Sequence, residues 1–186
     1  MDSARFVVTL AIAIVGGCAQ VLPPGLPASA PALLVPPGEA PRLRVAGRGV
    51  PVYECRRGNG EAPAWALVAP HAELFDAQGE SFGSHGAGPS WQARDGSRIV
   101  GTVVARVDAP GRGSIPWLLL RAQSDAGDGE LARVSSVQRI RTEGGAAPAR
   151  GCNARSLGRR TRIPYLADYV FFEPVDRAAL APADRP

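Results

Sequence analysis

From Gly49 to Phe172 polar and apolar residues alternate at period two in one run after another, the spacing that sends successive side chains to opposite faces of a β-strand. Ser97–Asp108 (SRIVGTVVARVD) sets Ile99, Val103 and Val107 on one face, with Thr102, Arg106 and Asp108 on the other. Gly49–Arg56 groups Val50 with Val52 and places Tyr53 and Cys55 opposite them. Trp65–Ala69, Ala72–Phe75, Trp117–Gln123, Leu131–Thr142 and Thr161–Phe172 read as further strands. Turn signals fall between these runs. Asp95-Gly96 predicts a tight hairpin joining the Trp91 segment to Ser97 onward, and Gly127-Asp128-Gly129 separates the next two strands. The expected fold is all-β: a single domain, residues 42–173, built as an antiparallel sandwich or a partly closed barrel.

The chain ahead of this domain has a different pattern. Phe6–Val15 (FVVTLAIAIV) is an uncharged apolar run behind Arg5, too short for a bilayer that needs roughly 20 residues, and it reads as the h-region of a signal peptide. The run ends in Val15-Gly16-Gly17-Cys18, which resembles the lipobox of bacterial lipoproteins. Residues 1–17 are therefore expected to be a signal peptide, with Cys18 acylated as the first residue of the mature chain. Residues 18–41, rich in Pro and Ala, read as a semi-rigid tether, with Leu33–Val35 a candidate edge strand. The tail, residues 174–186, is expected to be disordered.

Three cysteines leave an odd thiol in an exported protein. If Cys18 carries a lipid, Cys55 and Cys152 remain as a disulfide pair in a compartment that oxidises thiols. A metal pair is the alternative, but neither cysteine has a second Cys or His beside it at ligand spacing. With 186 residues, 45% of them hydrophobic, the chain suffices for one core and not for two domains. The net charge of +4 permits anionic partners, and Arg150, Arg155, Arg159, Arg160 and Arg162 follow one another with no acid between Glu143 and Asp168. That stretch reads as a solvated loop or as a patch for lipid headgroups or acidic polysaccharide. Nucleic acid is not an expected partner, because no aromatic-rich recognition motif accompanies the arginines.

Val35-Pro36-Pro37-Gly38, Tyr53-Glu54-Cys55, His85-Gly86-Ala87-Gly88-Pro89-Ser90-Trp91, Asp95-Gly96-Ser97, Ile115-Pro116-Trp117-Leu118, Val137-Gln138-Arg139 and Gly151-Cys152 stand in order along the chain. In combination they resemble the bacterial and fungal family called domain of unknown function 3455, over Val35 to Phe172. The resemblance implies secretion and supports the cysteine pairing, since both cysteines fall in matched motifs. It implies no activity, and it covers neither the lipobox nor the arginine-rich stretch.

Catalytic motifs are sparse. Gly79-Glu80-Ser81-Phe82-Gly83 spells a nucleophile elbow, but an elbow needs a following helix, which Gly86, Gly88 and Pro89 forbid. Gly111-Arg112-Gly113 is not a dinucleotide loop, because Pro116 stands where the phosphate-binding helix would run. With only His71 and His85, a metal site would need Glu73 or Asp76 to complete it, so no metal and no cofactor is expected. The remaining candidate is His85–Asp95, where an imidazole, a Gly-Pro turn, an indole and a carboxylate lie close in sequence. The stretch reads either as a rigid loop pinned by Trp91 packing into the core, or as a pocket in which His85, Trp91 and Asp95 line one concavity that takes a glycan or another small molecule, with the ligand stacked on Trp91. The first functional reading is a non-catalytic binding or structural module of the cell envelope, held to the membrane by its lipid anchor. The second is an envelope hydrolase using His85 and Asp95.

Overall fold

The computed structural model describes residues 36–58 and 62–175. Residues 1–17, expected to be a signal peptide, Cys18, most of the Pro/Ala-rich stretch with Leu33–Val35, and the end of the tail lie outside these residues. Nine strands form one antiparallel sheet: β1 (Glu39–Arg56), β2 (Ala64–Phe75), β3 (Ser81–Gly86), β4 (Ser90–Ala93), β5 (Arg98–Val107), β6 (Trp117–Ala126), β7 (Ser136–Gly144), β8 (Arg160–Arg162) and β9 (Tyr165–Pro174). The sheet closes in a partial ring because β1 is long enough to serve two neighbours. Its first half pairs β9 over Glu39–Gly49 and its second half pairs β2 over Ala46–Arg56, while β8 continues the β9 side at Val52–Glu54. The partly closed barrel expected from the alternation is the fold observed.

Several strand limits differ from the sequence reading, each for a local reason. β1 starts at Glu39, inside the stretch read as tether, because its pairing with β9 extends to Pro174. Trp65–Ala69 and Ala72–Phe75 are one strand, since Pro70 and Pro51 face each other in the β1–β2 ladder and do not interrupt it. Ile163 and Pro164 split Thr161–Phe172 into β8 and β9. β3 has a Gly- and Ser-rich sequence without an alternating apolar set, and its place comes from pairing on both sides. Ser81 opens this strand, with no helix behind it.

The larger correction concerns β5. Its ladder with β6 shifts between Val103 and Ala105, so Val104 is an extra residue, a β-bulge. Every side chain beyond it changes face. Ile99 and Val103 point inward as expected, but Val107 joins Ala105 on the outer face and Arg106 and Asp108 turn inward. A second shift, between Val52 and Tyr53 of β1, makes Val68 the extra residue of β2.

Inside the ring, one end is filled by packed side chains. Val45, Leu74, Trp91, Ile99, Leu120, Val137, Tyr169 and Phe171 pack there, all essentially without exposure. Two glycines make room for the large rings. A Cβ on Gly47 would come 2.6 Å from Tyr169 Cε2, and one on Gly101 would come 2.9 Å from Trp91 Cζ3. Leu131 and Val134, from the connection between β6 and β7, close this end. Asp95 holds that closure: its carboxylate accepts from the Ser97 amide and hydroxyl and from the Glu130 amide, and Ser97 Oγ accepts from the Leu131 amide. A second cluster, Trp117, Ile140, Val170 and Phe172, occupies the outer face of β6, β7 and β9.

Candidate functional site, a cleft in the barrel wall

β3 and β4 form a short hairpin. β3 pairs β2 only over Ala72–Phe75, and β4 pairs β5 only over Arg98–Val100, with one further bond from the Gly101 amide to Pro89 O. Beyond the hairpin tip at Ala87-Gly88-Pro89, none of the described strands lies between β2 and β5, and each carries its bulge along this stretch. The gap leads to a cleft of about 720 Å³ in the other half of the barrel, within the usual size range of small-molecule sites, roughly 300–1,000 Å³. Trp65, Leu67 and Val68 form one wall, and Val103, Arg106 and Asp108 form the other. Leu67 is 57% exposed and Val103 48% exposed, so the walls present apolar surface to solvent.

The floor is polar. His85, Arg139, Tyr53 and Tyr165 meet where the packed half of the barrel ends. Arg139 points inward because it faces Leu118 of β6 and Tyr169 of β9, both inner-face positions. Its Nε and Nη2 donate to Pro116 O at 3.1 and 2.8 Å. Among the described residues no carboxylate lies within ion-pair distance of it. Its neighbours are phenols: burial raises the pKa of Tyr53, Tyr165 and Tyr169, so they stay neutral and supply no counter-charge. Burial also lowers the pKa of Arg139, the direction expected of a desolvated cation, although guanidinium stays charged at physiological pH. Tyr53 donates to Gly145 O at 2.7 Å, and the Tyr165 and Tyr169 hydroxyls share a hydrogen bond at 3.0 Å.

His85 is 4% exposed and stacks on Trp91, ring centroids 4.7 Å apart. Burial pushes its pKa down to about 4; the bond to Ser90 O opposes this, and the charge on Arg139 adds to it. The ring is thus neutral at physiological pH. Nδ1 lies 2.8 Å from Ser90 O, which can only accept, so Nδ1 carries the proton and Nε2 keeps a lone pair.

The three residues singled out from the sequence are not brought together. His85 lines the cleft with Gly88 and Pro89. Trp91 lies beside His85 but is 1% exposed, stacked against the imidazole and packed edge-to-face with Tyr169 and Phe171, so no ligand can stack on it. Asp95 is at the opposite end of β4 from the hairpin tip, in a separate depression with Asp76 and Glu130, and its hydrogen bonds to Ser97 and Glu130 hold its pKa below the usual carboxylate value. His85 and Asp95 thus have no common substrate position. His71 faces outward, paired with Val50, and among the described residues no group of three or more His, Cys, Asp or Glu side chains could hold a metal ion.

Arg139 escaped the sequence reading because Val137-Gln138-Arg139-Ile140 has apolar residues three apart, which fits neither face of a strand. The signal that could have found it is the inward phase of Val137, which carries Arg139 to the same face two residues on.

The cleft rim is fixed covalently. Cys55, at the end of β1, is bonded to Cys152 in the connection between β7 and β8, with Cα atoms 5.3 Å apart, inside the range a disulfide requires. The neighbouring Trp65 Nε1 donates to Arg150 O at 2.9 Å. Comparison with curated proteins and with solved structures finds no match. A family model does match, over residues 36–173, and the chain belongs to that family, described as protein of unknown function (DUF3455).

Proposed function

We propose that this domain is a non-catalytic binding module of the cell envelope, exported, held to a membrane through Cys18, and taking a small molecule into the cleft between β2 and β5. The observation that carries the reading is the cleft itself: apolar walls open to solvent over a floor of directional polar groups, the usual make-up of a ligand site. The Cys55–Cys152 bond fits a compartment that oxidises thiols. The absence of catalysis rests on the partners of His85. Its Nδ1 is bonded to a backbone carbonyl, and among the described residues no Ser, Thr or Cys side chain is hydrogen-bonded to it as a nucleophile would be. The hydrolase alternative needs His85 and Asp95 at one substrate, and their separation gives it no support.

Two experiments test this. Leu67 is exposed and lines the wall, so Leu67→Trp is expected to fill the cleft without loss of melting temperature and to weaken any ligand found by unbiased mass-spectrometric screening of the native protein by about tenfold or more. Unchanged affinity would place the ligand elsewhere and remove the cleft as the site. For the anchor, Cys18→Ala is expected to move the protein from the membrane to the soluble fraction, and wild-type chain found soluble with an unmodified N-terminus would refute it.

A further inference from the structure

Resting on the cleft as the binding site, we infer that its ligand is an amphipathic oxyanion, a carboxylate or phosphate head on an apolar body, with the head on Arg139 and the body along Leu67, Val68 and Val103. The floor lacks what Arg139 needs. Removing a charge from water costs several kcal/mol unless it is paired, and the surrounding phenols and carbonyl are neutral. Two of the five guanidinium N–H groups go to Pro116 O and the Tyr169 hydroxyl is a further, neutral partner, and the planar fork suits a carboxylate or phosphate with the N–H groups that remain. His85 lines the same floor, and with Nδ1 bonded to Ser90 O its Nε2 is left as an acceptor that suits a hydroxyl or amide on the head group.

The acid that lines the cleft, Asp108, is solvent-exposed and makes no ion pair with Arg139, whose guanidinium is the one charge among the floor groups His85, Arg139, Tyr53 and Tyr165. The walls select the other half of the molecule. Of the large apolar residues the domain leaves exposed, Leu67, Val68 and Val103 all border this one opening. The arginine-rich connection between β7 and β9 lies at the same end of the barrel as the hairpin tip. Arg150, Arg155, Arg159 and Arg162 are exposed there, and among the described residues only Arg160 of that stretch is ion-paired, with Glu54. Such a field raises the encounter rate of an anion.

The test uses the disulfide-bonded chain exported with Cys18→Ala, so that no acyl chain of its own competes, and titrates it calorimetrically with decanoate, decyl phosphate, 1-decanol and inorganic phosphate. A charge-assisted hydrogen bond predicts that decanoate or decyl phosphate binds about tenfold or more tighter than decanol. The stronger of the two names the head group. Arg139→Gln is expected to remove this preference while leaving decanol binding unchanged, which a merely structural role for Arg139 would not do. Should Arg139→Gln fail to fold, Val103→Asp at its exposed wall position is expected to weaken decanoate about tenfold more than decanol. Equal binding of decanol and decanoate to the unaltered cleft overturns the inference, as does inorganic phosphate binding as tightly as decyl phosphate; either result leaves the cleft a binding site. If Leu67→Trp changes none of the affinities, the cleft reading itself falls.

Discussion

The double substitution Cys55→Ser with Cys152→Ser is expected to lower stability by about 2–5 kcal/mol. The two cysteines are 97 positions apart, and a chain-entropy treatment of a loop that long gives about 4.7 kcal/mol, a value that falls if the unfolded chain stays compact. Some of the native attachment survives without the bond. The Cys55 amide donates to Arg159 O, the Gly158 amide donates to Cys55 O, and Asn153 and Ser156 cap one another across the 3-10 turn Ala154–Ser156. Because those contacts persist, the variant should fold and should bind ligand, with a lower urea midpoint and a steeper slope from a more expanded unfolded state. A midpoint change worth less than about 1 kcal/mol would mean that the backbone bonds hold the rim unaided.

A second large effect is expected from acid. His85 titrates at about 4 when folded, against about 6.5 in the unfolded chain, so the fold favours the neutral ring. Above pH 6.5 neither state is protonated there and the group contributes no slope. Between about 6.5 and 4 only the unfolded chain takes up the proton, and stability falls as pH falls; below 4 both states are protonated and this contribution ends. The total is on the order of 3 kcal/mol. His85→Gln, which retains a donor for Ser90 O, should lack this component. Denaturant titrations of both proteins from pH 8 to 4 isolate it, because carboxylates with lowered pKa, Glu54 and Asp95, destabilise both alike as they protonate. Parallel curves for the two proteins would show that His85 is not held neutral by the fold.

Much of the architecture was readable in the sequence because alternation and turn chemistry are local. Asp95-Gly96 joins β4 to β5 as expected, with Gly96 at φ 90° and the Ala93 amide bonded to Ser97 O. The cysteine pairing followed from the count of three and from the export and lipidation expected of the chain. The site was not readable, and the reasons are specific. His85, Trp91 and Asp95 are neighbours in sequence, but a strand carries its two ends apart, so Asp95 went to the closed end of the barrel while His85 stayed at the open one. Of the two roles the sequence left open for Trp91, a core pin or a stacking surface, its size and the space left by Gly101 settle the first and make it the centre of the core. Arg139, Tyr53 and Tyr165 come from three strands far apart in the chain, and only closure of the ring places them around one floor.

The bulge at Val104 makes the chemistry of the cleft wall a matter of residue count. Deleting Val104 changes no side chain that touches the cleft, yet it would rotate Arg106 and Asp108 out to solvent and bring Val107 in, exchanging a charged rim for an apolar one in a single step. Insertions and deletions at this position, and at Val68 across the opening, therefore act on ligand preference as substitutions do elsewhere. A comparison of related chains that scores only residue identity, and aligns away a one-residue gap here, would miss a reversal of what the opening admits.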